Sequence, residues 1–251
     1  MELIKELDKQ GNFLFKYRGT LPIVILLLGA SVKAYVVWKS NTNAADFASN
    51  KFEYICLVVA LLGLAIRILA VGYAQKNTSG RNTEEQVADH LNTSGMYSIV
   101  RHPLYVGNFF MWLGVAMLTE DTWFIIAFVL AYWLYYERIM YAEEQFIGRK
   151  FGARFTEWAA KTPAMIPAIG KWHNPDLKFS TKKVLRQEKN GFAAIFILFF
   201  IFDAISEYIV YDDVRFRNKQ WLILCVASCV IYLVLKILKN STKLLSPEAD
   251  R

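Results

Sequence analysis

The sequence lacks the motifs with which soluble enzymes bind nucleotides. No G-x-G-x-x-G follows a candidate strand, and no phosphate-binding P-loop occurs. No internal repeat or low-complexity tract is visible either. These absences exclude a soluble nucleotide-binding fold embedded in the chain.

Cysteine is scarce, and its placement excludes two further classes of site. The three cysteines, Cys56, Cys225 and Cys229, all fall inside apolar segments. They have no metal-ligand spacing with histidine and form no extracellular disulfide framework, so they indicate packing residues and no metal site. Residues 1–18 also lack the apolar region of a cleavable signal peptide. Charged and apolar residues alternate there, which predicts an amphipathic helix at a membrane interface.

Apolar residues are abundant instead: 55% of the chain is hydrophobic and 15% aromatic. Long apolar runs occupy residues 19–38, 52–73, 104–118, 123–142, 191–210 and 220–239. The run at 104–118 would make a helix of about 22 Å, which is short for a hydrocarbon layer of ~30 Å. The sequence therefore predicts an all-α polytopic membrane helix bundle with about six spans, two of which form a short helical hairpin turned by T-E-D-T.

The formal net charge of +7 is explained by membrane topology better than by nucleic-acid binding. The N-terminal arm, the loops at 75–101 and 142–190 and the tail from Lys236 hold 21 Lys and Arg, whereas the three opposite loops hold 5. This asymmetry predicts cytosolic termini and two long cytosolic loops. Within the second loop, residues 146–163 predict an interfacial amphipathic helix that is interrupted at Gly148 or Gly152 and stops before Pro163.

The stretch Gly95–Gly107 crowds basic and aromatic residues at the entrance to an apolar helix. Pro103 suits the first helical position, so the helix would direct its free N–H groups towards Arg101 and His102. Such a corner can bind an anion. The alternative is an ordinary proline-started helix whose basic residues lie among lipid headgroups, with Tyr97 and Tyr105 as interfacial anchors.

Two adjacent carboxylates, Glu143 and Glu144, end the fourth predicted span. They lie near the negative end of the helix dipole and beside hydrocarbon, so a cation must be close to them. Alternatively the helix runs on along the surface and both are solvated. Arg67 lies inside the second span, where its positive charge needs a partner. That partner is Glu143 or Glu144, or a substrate anion; otherwise the side chain snorkels to the interface.

These residues in this order resemble the isoprenylcysteine carboxyl methyltransferase and phospholipid methyltransferase superfamily of integral membrane enzymes. The matching motifs are L-G-x-x-x-R ending at Arg67, L-x-T-S-G-M-Y-x-x-V-R-H-P-L-Y-V-G from Leu91, the E-E pair, and F-G-x-x-F-x-x-W followed by T-P. The resemblance covers roughly residues 52–170. It divides the chain into an N-terminal segment with the first span (1–51), a methyltransferase-like core (52–170), and a linker with a two-span hairpin (171–251).

The resemblance implies S-adenosylmethionine as methyl donor. Carried over to this sequence, the donor contacts would be Asp89, His90, Leu91, Tyr97, His102, Pro103, Tyr105 and Glu143. We assign Arg101, His102, Glu144 and Arg67 to the reaction. Arg101, together with the helix N-terminus at Leu104 and Tyr105, would take the donor's carboxylate. Arg67 would bind a substrate anion, and His102 or Glu144 would act as base towards an amine acceptor. One departure concerns the acceptor, because Ile139, with Arg138 beside it, occupies the place of a family arginine for the substrate carboxylate.

We therefore expect a membrane methyltransferase whose cytosolic active site takes a lipophilic acceptor sideways from the bilayer, with membrane lipids as neighbours and no nucleic-acid partner. The acceptor would be a prenylcysteine carboxylate, a phospholipid amine or a lipid phosphate. The alternative from another class is a transporter or scaffold in which Arg67 and Glu143 form a structural ion pair.

Overall fold

The structure is a computed structural model that describes residues 2–40, 51–75, 78, 88–242 and 244–245. Most of the predicted polar loop after the first span, residues 41–50, lies outside the described residues. The same holds for residues 76, 77 and 79–87 of the loop predicted at 75–101. In the described ranges the regular structure is helical, so the all-α prediction is confirmed.

Nine α-helices and one 3₁₀ turn are described. The α-helices are α1 Leu3–Lys16, α2 Leu21–Ser40, α3 Phe52–Tyr73, α4 Met96–Ile99, α5 Pro103–Met117, α6 Thr122–Phe151, α7 Ala153–Lys161, α8 Thr181–Tyr211 and α9 Lys219–Ser241, and the 3₁₀ turn is Ile169–Lys171. Helices α2, α3, α6, α8 and α9 are long and apolar enough to cross a membrane, and α5 is a shorter apolar helix. The chain is therefore an integral membrane protein, and the short arm of the hairpin is confirmed.

Helices α3 and α5 form the closest packed pair, because glycines bring their backbones together. A Cβ atom at Gly63 would lie 2.5 Å from the Met111 amide, and one at Gly107 would lie 2.5 Å from the Cγ of Arg67. Helix α8 covers this pair, with Ile195 and Phe199 buried against it. This close approach lets short side chains on α5 meet groups on α3 and α8.

Helix α1 packs on the outer face of α6. At Gly11 an added Cβ would lie 2.7 Å from the Cβ of Ala142. The Tyr135 hydroxyl donates to the Leu14 carbonyl at 3.0 Å, and Arg138 Nε donates to Gln10 Oε1 at 3.1 Å. The predicted amphipathic helix therefore exists, and one of its faces is occupied by protein.

The hairpin turn and the end of its second arm follow from local backbone chemistry. Glu120 takes a positive φ of 57°, and Asp121 Oδ1 accepts the Phe124 amide at 2.6 Å to begin α6. Helix α6 continues well beyond the predicted end at 142 and stops where Gly152 takes a φ of 55°. The predicted interruption therefore falls at Gly152, and the alternative at Gly148 is wrong.

Helix α8 begins earlier than the span predicted at 191–210. The Ser180 hydroxyl accepts the Lys183 amide at 3.4 Å at its start. The polar turns that follow are partly buried by the bundle, since Glu188 is only 4% and Lys189 only 5% exposed. Because these turns are polar, the sequence predicts a loop here. In the structure they are helical, since the bundle buries their charged groups.

Candidate active site

A cavity of about 490 Å³ lies where α5 begins and the polar end of α6 passes it. This volume is within the range of about 300–1,000 Å³ usual for small-molecule sites. Its walls come from the α1–α2 connection, the start of α2, α3, the segment before α5, α5, α6, α7 and α8. Among the lining residues are Arg18, Pro22, Arg67, His90, Leu91, Tyr97, Arg101, His102, Pro103, Tyr105, Asn108, Trp112, Glu143, Glu144 and Trp158.

The start of α5 has the predicted form. His102 is the N-cap residue and Pro103 occupies the first turn. The amides of Tyr105 and Val106 donate to the His102 carbonyl at 3.1 and 3.2 Å. The Tyr105 amide, one of the N–H groups expected to take the donor's carboxylate, therefore already donates a hydrogen bond within the helix.

Glu143 is one of the two α6 carboxylates that line the cavity. The Tyr105 hydroxyl donates to its Oε1 at 2.6 Å, and His102 Nδ1 lies 3.6 Å from its Oε2. Its side chain is 22% exposed. A carboxylate held by a hydroxyl and facing a cavity can bind a cation with little reorganisation.

Glu144 forms the second half of the cluster. Its Oε1 lies 2.8 Å from His102 Nε2 and accepts a hydrogen bond of 2.8 Å from Arg101 Nε. Its side chain is 21% exposed. The alternative in which α6 runs on as a surface helix with both carboxylates solvated is therefore wrong for the acids, although the helix does run on.

Arg101 ties the start of α5 to the end of α7. In addition to its bond with Glu144, its Nη1 donates to the carbonyls of Ala159 and Thr162 at 2.7 and 3.0 Å. Its backbone amide donates to the Pro163 carbonyl at 2.8 Å. These bonds explain why an arginine stands here: it holds the wall of the cavity and orients Glu144.

Arg67 is paired with a residue that the sequence analysis missed. Its Nε and Nη2 donate to the two oxygens of Glu188, each at 2.7 Å, and its Nη1 donates to Asn108 Oδ1 at 2.7 Å. The predictions of snorkelling and of pairing with Glu143 or Glu144 are wrong. The ion pair with Glu143 expected of a scaffold is also wrong, because a bidentate partner on α8 takes the guanidinium.

A periodic signal for Glu188 was present in the sequence. Ile195, Phe199 and Phe202 repeat every three or four residues along the buried face of α8, and Glu188 lies two turns before Ile195 on the same face. Extending the apolar stripe backwards across the polar turns would have placed Glu188 inside the bundle.

Tyr97 closes the cavity on the side of α7. Trp158 Nε1 donates to its carbonyl at 3.1 Å. Burial of the Tyr97 hydroxyl raises its pKa above the ordinary value, and the negative charge of Glu143 adds to this. The phenol therefore stays protonated and neutral at physiological pH.

One predicted donor contact, and the position of the missing family arginine, fall outside the cavity wall. Asp89 is exposed, whereas its neighbours His90 and Leu91 line the cavity. Ile139, at the place of the family arginine, is fully buried in the aromatic cluster of α6, and Arg138 faces α1. The structure therefore provides no arginine to the cavity from this turn of α6.

Comparison with known proteins agrees with the motifs. The family model described as Phospholipid methyltransferase matches residues 54–154. Over 160 residues the chain is 33% identical to the nickel-cobalt-cadmium resistance protein NccN of Alcaligenes xylosoxydans xylosoxydans. The aligned region covers 63% of this chain and 68% of the relative. The chain belongs to the isoprenylcysteine carboxyl methyltransferase and phospholipid methyltransferase superfamily.

Other members of the superfamily carry enzyme names. The chain is 32% identical over 126 residues to the protein-S-isoprenylcysteine O-methyltransferase of Schizosaccharomyces pombe, covering 49% of this chain and 53% of the relative. The corresponding enzyme of Tribolium castaneum is 32% identical over 116 residues, which are 46% of this chain and 41% of the relative. The chain thus spans about half the length of these relatives. No solved structure matches it.

Proposed function

We propose that this protein is an S-adenosylmethionine-dependent membrane methyltransferase that acts on a lipophilic acceptor of the isoprenylcysteine type. The observation that carries the proposal is the hydrogen bond of 2.6 Å between Tyr105 and Glu143. Both residues lie in the segment that matches the family, and both face one cavity. The residues around the cavity match the charges of S-adenosylmethionine, because a carboxylate, aromatic faces and a guanidinium surround one space.

The protein's contribution to the reaction is binding and alignment. When bound, S-adenosylmethionine supplies a methyl group activated on a sulfonium. Glu143 would pair with the ammonium of its amino-acid end, and Tyr105 and His102 hold that carboxylate in place. The phenol of Tyr97 is neutral, so the face of its ring can lie against the positive charge of the donor. His90, Leu91 and Pro103 shape the remaining wall.

The residues first assigned to the reaction take supporting roles in this proposal. Methyl transfer to a carboxylate oxygen requires no base, so orientation and exclusion of water are the main tasks. Glu144 fixes His102 and Arg101, while Arg67 fixes the α3–α5–α8 junction through Glu188. For an amine acceptor, His102 or Glu144 would have to accept a proton.

The choice of acceptor class rests on names and on the shape of the cavity. Several relatives at about 32% identity are named isoprenylcysteine O-methyltransferases, whereas the family model carries the phospholipid name. The cavity extends along α5 as far as Trp112 and reaches Pro22 of α2. Apolar walls on that side suit a prenyl or acyl chain that enters from the bilayer.

The orientation in the membrane follows from the distribution of basic residues. The arms and loops beside the cavity carry most of the Lys and Arg, so we place both termini and the cavity in the cytosol. S-adenosylmethionine is available there. A cysteine introduced at position 154 on α7 should then react with a membrane-impermeant maleimide only after the membrane is opened.

Methyl transfer to defined acceptors tests the proposal. Membranes containing the protein are incubated with methyl-labelled S-adenosylmethionine and either N-acetyl-S-farnesylcysteine or phosphatidylethanolamine. We expect label in the farnesylcysteine product that alkali releases as methanol, and none with Glu143→Gln. Alkali-stable label in the phospholipid would instead identify an amine acceptor. Absence of label in both, from protein shown to be folded, would contradict the proposal.

A further inference from the structure

Among the residues that the structure describes, three arginines line the cavity: Arg18, Arg67 and Arg101. Two of them are held by carboxylates, Arg67 by Glu188 at 2.7 Å and Arg101 by Glu144 at 2.8 Å. Arg18 comes from the connection between α1 and α2 and lines the same cavity as Glu143. It therefore shares one cavity with the carboxylate to which the ammonium of the donor is assigned.

An aromatic support fixes the position of Arg18. Its guanidinium carbon lies 3.9 Å from the centre of the Phe15 ring. Phe15 is 8% exposed and packs in the same cluster as Tyr136 of α6. A guanidinium stacked on a ring can still direct in-plane N–H groups at an anion, and its planar fork matches a carboxylate.

Docking of α1 sets the distance between this cation and the acidic pair. Gly11 allows α1 to approach Ala142, which immediately precedes Glu143 in α6. Hydrogen bonds from Tyr135 to Leu14 and from Arg138 to Gln10 fasten the same contact. The chain segment that carries Arg18 and the helical turn that carries Glu143 are therefore fixed against each other.

The chemistry of an α-amino acid requires such a pair. Its ammonium and carboxylate are attached to one carbon, so a site that recognises both needs an anion and a cation facing the same space. We propose that Arg18 binds the carboxylate of the donor's amino-acid end while Glu143 binds its ammonium. The inference rests on the proposed function and replaces the assignment of this carboxylate to Arg101. It makes the connection between α1 and α2, outside the segment that matches the family, part of the donor site.

Two ligands that differ only in the carboxylate test this assignment. Calorimetry on the full-length protein in detergent compares S-adenosylhomocysteine with its decarboxylated counterpart, S-adenosyl-3-thiopropylamine. We expect the unmutated protein to bind the carboxylate form about tenfold or more tightly, as a charge-assisted bidentate contact would give. Arg18→Gln should abolish this preference and leave the affinity for the decarboxylated ligand unchanged. Lys16→Gln, which removes an exposed charge at the end of α1 two residues before Arg18, should behave like the unmutated protein.

Persistence of the preference in Arg18→Gln would overturn the inference. Equal binding of both ligands by the unmutated protein would overturn it too, while leaving the proposed function intact. Binding of neither ligand would instead contradict the proposed function. If Arg18→Gln does not fold, Arg18→Lys decides, because a single ammonium in place of the fork should reduce the preference about threefold. An unchanged preference in that variant overturns the assignment.

Discussion

Charged side chains are buried at both ends of the helix bundle, yet the two ends are built differently. At the end where α5 begins, Glu143, Glu144 and three arginines border a cavity of about 490 Å³. At the opposite end Glu53, Asp203 and Glu207 are 7%, 3% and 0% exposed, and none of them lines that cavity. On α3 the two ends are about 21 Å apart, measured from Glu53 to Arg67 at the helical rise.

At the opposite end fixed donors are provided for each of these acids. Trp221 Nε1 donates to Glu53 at 2.6 Å, Asn218 donates to Asp203 at 3.0 Å, and Arg217 donates to Glu207 at 2.8 Å. These bonds join helices and leave the acids enclosed. The comparison teaches that burial of charge does not by itself identify a binding site. An acid points to a candidate binding site when it is held in place and also faces open space.

Removing Glu188 should produce the largest loss of stability. Glu188→Leu leaves the Arg67 guanidinium, 18% exposed, without its carboxylate, and an uncompensated buried charge costs about 3–5 kcal/mol. The double variant Arg67→Met/Glu188→Leu removes both charges and should regain most of this loss. The free energy of unfolding in detergent measures both effects. A Glu188→Leu protein as stable as the unmutated one would show that the ion pair is not structural.

A matched pair of smaller changes separates the two ends. Trp221→Phe removes the N–H donated to Glu53, and Tyr105→Phe removes the O–H donated to Glu143. Each loses one charge-assisted hydrogen bond, worth about 1.5–3 kcal/mol at a buried site. We expect Trp221→Phe to lower the melting temperature without changing the affinity for S-adenosylhomocysteine. Tyr105→Phe should weaken that affinity, because it releases the acid that we propose binds the ligand.

The opposite pattern would contradict the comparison. If Trp221→Phe weakened binding of S-adenosylhomocysteine as much as Tyr105→Phe, the two ends would be coupled and the opposite end would not be a purely structural cluster. Affinities are measured well below both melting temperatures, so that loss of folded protein does not imitate loss of binding.

The sequence was sufficient for most of the fold because the bilayer restricts it. Apolar runs predicted the spans, and the short run at 104–118 predicted the short helix α5. Helix ends were harder, because α6 passes Glu144 and α8 starts at Thr181, where burial by neighbouring helices outweighs local polarity. The predicted end of α6 and the predicted start of α8 were wrong, because in each case a charged helical turn was interpreted as a loop.

The candidate site was predictable in its local part. Arg101, His102, Tyr105 and Glu143 were recognised from their places at helix ends, and the structure brings them together. Arg18 and Glu188 were missed, because each is far along the chain from the motif and becomes part of the cavity only through packing of α1 and α8. The roles of all these residues remain predictions.

The central claim is that Glu143 binds the ammonium of the methyl donor, and calorimetry with S-adenosylhomocysteine tests it most directly. The unmutated protein should bind with a dissociation constant of about micromolar order. Glu143→Ala should abolish the binding, while Glu53→Gln, which changes a buried acid at the other end, should retain it. Undiminished binding by folded Glu143→Ala would contradict the account.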